Sequence, residues 1–233
     1  MPHFSLRKRD PATQSEGVVA GYAQTAQRWP SQPLQARPLT PSELTGPQQL
    51  ARRLAPVRGD LAGYGEKRAI GQLIRLRARI VDEDGVPVSG AVVEVWHCNA
   101  AGKYIHPNDT NDAPVDPNFY GAARMVAGDS GLIELRTIKP AAYPVPDTAG
   151  WWRPPHIHFS VWGRVWLSRL VTQMFFPGEP LNESDAILNA IRDPEARRRC
   201  IAQLALTAKG PQDALVYEYQ IVVRGRGASP SLR

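Results

Sequence analysis

The stretch Ile74–Ile80 reads IRLRARI, in which apolar and basic residues alternate without a break. Successive side chains of a β-strand point to opposite faces, so this alternation predicts a strand with one buried and one solvent-facing side. The acidic sequence Asp82–Gly85 follows directly and is typical of a turn. A β domain is therefore predicted to begin near residue 72.

Further β-strands are predicted along the rest of the chain, separated by turn-forming residues. They cover residues 91–98, 132–137, 156–162, 166–176 and 215–223. The Asp-Ser-Gly turn at residues 129–131, for example, directly precedes the second of them. Several short strands of this kind favour a β-sandwich.

One stretch near the C-terminus departs from the β pattern. Asp193, Pro194 and Glu195 supply an N-cap, a proline at the first helical position and an acidic first turn. They predict a helix over residues 194–208, and a shorter helix fits residues 184–191. The expected fold class is thus mainly β, with one or two short helices near the C-terminus.

The length of 233 residues suits a single domain with an additional N-terminal segment. Residues 1–66 are rich in Pro, Gln, Ser and Gly and show weak periodicity, so alone they would bury little apolar surface. We expect them to form an extended, irregular N-terminal arm with loops, wrapped on a partner or on the sandwich. Residues 67–233 are then the single-domain β-sandwich.

The net charge of +6 comes from basic residues that are dispersed, apart from short runs at 7–9 and 197–199. No nucleic-acid-binding motif accompanies them, so a solvated surface or a weak attraction for an anionic substrate is favoured over nucleic acid. No apolar run is long enough to span a bilayer, and residues 1–10 lack the apolar region of a signal peptide. A cytoplasmic location is expected, with Cys98 and Cys200 as free thiols.

Candidate metal ligands lie in the predicted strand 156–162. His156 and His158 are two residues apart, so their side chains leave the same face of the strand and can reach one ion. Hydrogen-bonded core histidines, or a zinc or copper site, are alternatives for this spacing alone. Tyr104 and Tyr143, each in a turn-like setting, add two oxygen donors. Phenolate and imidazole donors together favour a hard ion such as Fe(III).

Three sequence blocks surround these residues. They are WHCNAAGKY at Trp96–Tyr104, TIKPAAYP at Thr137–Pro144 and WRPPHIH at Trp152–His158. In the same order they resemble the blocks W-x-x-N-x-x-G-x-Y, T-I-x-P-x-x-Y-P and W-R-P-x-H-I-H of the intradiol ring-cleaving dioxygenases. The resemblance extends from about residue 22 to residue 226 and is closest to the iron-bearing β subunits of the protocatechuate-cleaving branch.

The resemblance implies a non-haem Fe(III) enzyme that cleaves the ring of a catecholic acid with O₂. The expected reaction converts protocatechuate to 3-carboxy-cis,cis-muconate in the degradation of aromatic compounds. Tyr104, Tyr143, His156 and His158 are implied as the iron ligands. Tyr143 is also implied to be catalytic, since the substrate displaces the corresponding tyrosine in the family. We expect Arg153 to bind the substrate and to stabilise negative charge that develops during cleavage.

Three further residues are implied to contact the substrate. They are Tyr22, Gln173 and Ile187, of which the last two could equally serve packing alone. The chain departs from the family at Ala123 and Met125, which replace a glycine and a threonine, and at Val145, which stands where close relatives have a tryptophan after the second ligand tyrosine. The smaller side chain of Val145 leaves space for a bulkier or differently substituted catechol.

The expected partner, by the same resemblance, is a homologous α subunit that completes the active site in a large hetero-oligomer. Two alternative functions stay open. The chain could cleave a different substituted catechol, or it could be a non-catalytic β-sandwich subunit of a related complex. Such companion subunits lack the iron ligands in the resembling family, whereas this chain has all four.

Overall fold

The computed structural model describes residues 10–13, 22, 32, 59–63, 65–148, 150–163, 169–206 and 214–223. Within these residues there are ten strands and two short α-helices. The strands are β1 (Leu73–Val81), β2 (Val92–Trp96), β3 (Ala122–Val126), β4 (Leu132–Ile138), β5 (Tyr143–Pro144), β6 (Trp152–Arg153), β7 (His156–Trp162), β8 (Arg169–Phe175), β9 (Gln203–Leu204) and β10 (Leu215–Val222). The helices are α1 (Ala186–Asn189) and α2 (Pro194–Arg199).

The strands form two four-stranded sheets and a separate hairpin. One sheet has the order β4-β1-β10-β9, the other has the order β3-β2-β7-β8, and β5 pairs with β6. Both four-stranded sheets contribute side chains to one buried apolar cluster. Phe159 of β7 and Tyr219 of β10 contact each other across it, with their ring centroids 5.6 Å apart. This arrangement confirms the predicted mainly β sandwich.

The alternation in β1 has the predicted effect. Leu76, Ala78 and Ile80 are fully buried in the core, whereas the arginines between them face outward. Arg77 lies in register with Glu134 of β4 and Glu218 of β10 and forms an ion pair of 3.1 Å with each. These cross-strand ion pairs lie on the outer face of the sheet.

The other predicted strands occur at the predicted positions in the structure, and some of them differ in their first or last residues. The prediction 156–162 matches β7, and 132–137 and 215–223 match β4 and β10 within one residue. The predicted start of the strand at residue 166 lies outside the described residues. Strand β3 and the hairpin of β5 and β6 were not predicted.

The predicted helix over 194–208 is wrong in length, because α2 ends at Arg199. Its start is correct: the Asp193 carboxylate accepts a hydrogen bond from the Glu195 backbone N–H. Beyond the helix, the backbone of Cys200 and Ala202 hydrogen-bonds to Phe175 of β8. These sheet contacts use the groups that a longer helix would need, and the chain continues as β9. Helix α1 confirms the predicted shorter helix at 184–191, over fewer residues.

The division between an arm at 1–66 and a domain at 67–233 stays a prediction, since most of residues 1–58 lies outside the described ranges. Leu61 and Ala62 are fully buried in the core cluster. The Ala12 carbonyl accepts a hydrogen bond from the Asp193 N–H. None of the helices among the described residues is long and apolar enough to cross a membrane.

Candidate metal centre

Four side chains from three separate parts of the chain converge at one point. The Tyr104 hydroxyl lies 3.4 Å from the Tyr143 hydroxyl, 3.5 Å from His156 Nε2 and 3.0 Å from His158 Nε2. His156 Nε2 lies 3.4 Å from the Tyr143 hydroxyl and 3.2 Å from His158 Nε2. Donor atoms at these separations can surround a single ion bonded at about 2 Å to each. The structure therefore brings together all four predicted ligands.

A compact turn holds Tyr104 in place. The Asn99 side chain accepts hydrogen bonds from the N–H groups of Ala101 and Lys103, which closes the turn directly before the tyrosine. The Tyr104 N–H itself donates to the Asp109 carboxylate at 2.7 Å. Gly102 lies in the same turn with a φ of 85°. The W-x-x-N-x-x-G-x-Y pattern is thus explained by turn geometry that positions the phenol.

Substituting Gly102 by alanine is expected to disturb both tyrosines. A Cβ at this position would lie 2.9 Å from the Ala142 carbonyl oxygen and 3.0 Å from the Tyr143 Cβ, in a backbone conformation that side chains disfavour. We expect the free energy of unfolding to fall by about 2 kcal/mol or more. Bound iron per chain should fall as well. Chemical denaturation and iron analysis measure these two effects.

Gly85→Ala is the matched control for this prediction. Gly85 has a similar φ of 78°, but a Cβ there would meet nothing within 4 Å. The Gly85→Ala variant therefore has the same backbone strain but no steric contact of the new Cβ atom. A Gly102→Ala protein as stable and as iron-rich as Gly85→Ala would contradict the role of this turn.

The histidines are held in the orientation that a metal ligand requires. His156 Nδ1 lies 2.7 Å from the Pro154 carbonyl oxygen and donates its proton there, so the lone pair of Nε2 faces the other donors. The His158 ring stacks on Trp96, its cross-strand neighbour, with ring centroids 4.9 Å apart and an angle of 5° between the ring planes. Sequence analysis missed this role of Trp96, which a cross-strand contact reveals.

Burial sets the protonation states of this cluster. It lowers the pKa of His156 well below its usual range, with the charge of Arg153 acting in the same direction, so His156 is a neutral imidazole. It raises the pKa of Tyr104 well above its usual value and that of Tyr143 to about 12, the latter despite the opposing effect of Arg153. Without a cation both phenols therefore keep their protons, and a strongly charged ion must displace them on binding. Fe(III) meets that requirement and prefers these donors, so the residues fit the ion.

Arg153 lies beside the cluster, on the strand that pairs with Tyr143. Its side chain is 1% exposed and forms a bidentate ion pair with the fully buried Asp185, through Nε at 2.8 Å and Nη2 at 3.1 Å. Nη2 also donates to the Gln173 side-chain oxygen at 2.6 Å. Burial opposes the charge of Arg153, but Asp185 outweighs it, so the pKa of the guanidinium is raised. The result is a permanent, fixed positive charge next to Tyr143.

The sequence analysis missed the role of Asp185, which it placed inside the short helix predicted over residues 184–191, whereas the observed helix begins one residue after it. Asp185 caps α1 by accepting a hydrogen bond from the Leu188 N–H, as well as binding Arg153. The N-cap position was a usable signal. Its pairing with an arginine 32 residues away in the chain could not be inferred from any local sequence signal.

Asp185→Asn is expected to destabilise the protein strongly. It would leave the Arg153 charge buried without its counter-ion, which costs about 3–5 kcal/mol in the free energy of unfolding. Glu134→Gln is the matched control, because the ion pair of Glu134 with Arg77 is exposed and should contribute less than about 1 kcal/mol. Urea denaturation of both variants measures the difference. Equal stability of the two would show that the buried pair does not anchor Arg153.

Tyr22, Gln173 and Ile187 are the remaining predicted substrate contacts, and the structure gives their positions. Tyr22 packs edge-on against Trp151, with ring centroids 5.4 Å apart. Gln173 reaches the site through its bond to Arg153. Ile187 is half-buried in α1, two residues after Asp185. For these three residues, contact with a substrate stays a prediction.

Comparison with known proteins agrees with this geometry. A model of a dioxygenase family, described as Dioxygenase, matches residues 44–225. The protocatechuate 3,4-dioxygenase beta chain of Burkholderia cepacia is 41% identical over 231 residues, which cover 98% of this chain and 97% of that protein. Catechol 1,2-dioxygenase 2 of Acinetobacter lwoffii is 30% identical, over 68% of this chain and 62% of that protein.

A solved structure shows the same fold at low sequence identity. Hydroxyquinol 1,2-dioxygenase from Pseudomonas putida matches with a TM-score of 0.56 and 22% identity, over 93% of this chain and 74% of that one. The two-sheet sandwich is thus a fold that this chain shares with a solved dioxygenase. The chain belongs to the dioxygenase family, and within it to the intradiol ring-cleaving enzymes.

Proposed function

We propose that this chain is the iron-bearing subunit of an enzyme that cleaves protocatechuate with O₂ to give 3-carboxy-cis,cis-muconate. The convergence of two phenol oxygens and two imidazole nitrogens, each within 3.0–3.5 Å of at least two of the others and beside a buried arginine, carries the proposal. The likeness to the beta chain from Burkholderia cepacia supports the choice of substrate.

Tyr104, Tyr143, His156 and His158 would hold a non-haem Fe(III). When bound, the ion acts as a Lewis acid that draws electron density from a chelated catecholate, so that the ring carbons become reactive toward O₂. The protein then has to position the catechol, take up its protons and stabilise the charge that develops.

Tyr143 is suited to take up a proton. Burial raises the pKa of its hydroxyl to about 12 in the absence of a cation, so a Tyr143 phenolate displaced by substrate would readily accept a catechol proton at its oxygen. Tyr143 pairs with Arg153 on the β5–β6 hairpin, and the positive charge of Arg153 acts on the pKa of the Tyr143 hydroxyl.

Arg153 is suited to stabilise the negative charge. Asp185 and Gln173 engage its Nε and Nη2 atoms, so among the described contacts the Nη1 donors are left for a substrate oxygen. A guanidinium fixed in a water-poor site does not have to reorient during the reaction, which is the basis of electrostatic catalysis.

Oxygen uptake and product analysis test the proposal. The purified, iron-loaded protein, with its partner subunit where that is needed, should consume one O₂ per protocatechuate and place both atoms of ¹⁸O₂ in the product. Absence of cleavage with protocatechuate, catechol and hydroxyquinol alike would contradict it. Preferential cleavage of another catechol would support the second candidate, which Val145 favours because it stands where the resembled family has a larger tryptophan.

A homologous α subunit is the proposed partner, because the similar protein from Burkholderia cepacia is a beta chain. We propose that the arm at residues 1–66 contributes to their contact. Light scattering of the co-expressed proteins should show a large hetero-oligomer, and full activity of this chain purified alone would contradict the requirement for a partner. A cytoplasmic location stays a prediction from the sequence.

A further inference from the structure

The β5–β6 hairpin presents four side chains on one face, and one of them has no role in the account so far. Tyr143 lies opposite Arg153, and the Val145 N–H donates to the Trp151 carbonyl at 2.9 Å, which extends the pairing by one step. Cross-strand partners and residues two apart share a face of a β-ribbon, so Trp151 lies on the same face as Tyr143 and Arg153. Trp152 lies on the opposite face and is 47% exposed.

The Trp151 ring is packed among residues of the candidate site. Its ring makes the edge-on contact with Tyr22, and the Arg153 Cζ atom lies 5.9 Å from its centroid. The Trp151 side chain is half-buried. Its contacts place it between Tyr22 and Arg153 at the side of the site.

The indole nitrogen of Trp151 lacks a partner. Nε1 is buried although part of the ring is exposed, and the structure gives this nitrogen no hydrogen-bond partner among the described residues. Leaving a buried N–H unpaired is unfavourable, and an acceptor on a bound molecule would satisfy it. The nearby guanidinium favours an acceptor that carries negative charge.

We propose that Trp151 is a specificity-determining residue whose indole N–H donates a hydrogen bond to the carboxylate on the ring of the substrate. This inference rests on the proposed function, because it assumes that a catechol binds at the four-ligand cluster. It extends that function by naming the residue that recognises the ring substituent. Trp151 would thereby favour protocatechuate over an unsubstituted catechol.

Trp151→Phe tests the proposal, since phenylalanine keeps an aromatic ring against Tyr22 and Arg153 but lacks the N–H. Steady-state kinetics of the iron-loaded enzyme, with its partner subunit, would be measured with protocatechuate and with catechol. We expect the KM for protocatechuate to rise about tenfold or more, as for loss of a hydrogen bond to a charged group. The KM for catechol should stay within about twofold. Trp152→Phe, on the opposite face, should change neither value.

Three results would overturn the inference. Trp151→Phe could leave the preference between the two substrates unchanged, or it could weaken both equally, which would indicate a purely structural role. Alternatively, light scattering could show weaker subunit association with an unchanged preference, which would identify the partner chain as the acceptor. Failure of the parent enzyme to cleave any catechol is a separate result, and it contradicts the proposed function itself.

Discussion

His156→Ala is expected to remove bound iron and ring cleavage together. His156 is buried, its Nδ1 proton is engaged by the Pro154 carbonyl, and its Nε2 lies within 3.5 Å of three other donor atoms. Removing a direct ligand should cost more than the roughly 10–100-fold loss that follows removal of an outer-shell partner. We therefore expect the iron content to fall from about one atom per chain to a small fraction, with turnover lost accordingly.

His106→Ala is the control for this prediction. His106 lies in the loop that follows Tyr104, but its side chain is exposed. The His106→Ala protein should keep its iron and its activity. Iron analysis and oxygen uptake of both variants provide the measurement. A His156→Ala protein with full iron content would exclude the assigned ligand set.

Arg153→Leu is expected to lower kcat by about 10²–10³-fold, in line with removal of one fixed charge-stabilising group. Iron content should be retained, because Arg153 is not a ligand. The same substitution leaves the Asp185 carboxylate buried without its counter-ion, so it should also lower the free energy of unfolding by about 3–5 kcal/mol. Stability and catalysis must therefore be separated.

The double variant Arg153→Leu/Asp185→Leu makes that separation. Both charges of the buried pair are replaced by apolar groups, so most of the lost stability should return. The deficit in kcat should remain, because the positive charge beside Tyr143 is still absent. Denaturation and steady-state kinetics of the single and double variants test this. Recovery of turnover along with stability would show that Arg153 acts only through folding.

Local sequence patterns predicted the parts of the fold that local physics determines. The alternation in Ile74–Ile80 predicted β1 because one face of that strand is buried and the other is wet. Strand β3 was missed because Ala122–Val126 is poor in the β-branched and aromatic residues that mark strands. The helix from Pro194 was predicted too long because its end is set by pairing of residues 200–202 with Phe175, a contact that no local pattern reveals.

In the candidate site, too, local patterns predicted some features, whereas contacts between distant segments were missed. The spacing of His156 and His158 predicted that both would face one point, and the motifs around Tyr104 and Tyr143 associated two phenols with them. The buried pair of Arg153 with Asp185 and the stacking of Trp96 on His158 depend on contacts between distant segments. Such contacts require the folded structure.

A visible spectrum of the purified protein, recorded without oxygen before and after addition of protocatechuate, tests the central claim most directly. Two tyrosines bound to Fe(III) predict a coloured protein with a broad visible band, and binding of the catechol to the ion predicts a shift of that band. A colourless protein that contains a full complement of iron would contradict the assignment of Tyr104 and Tyr143 as ligands.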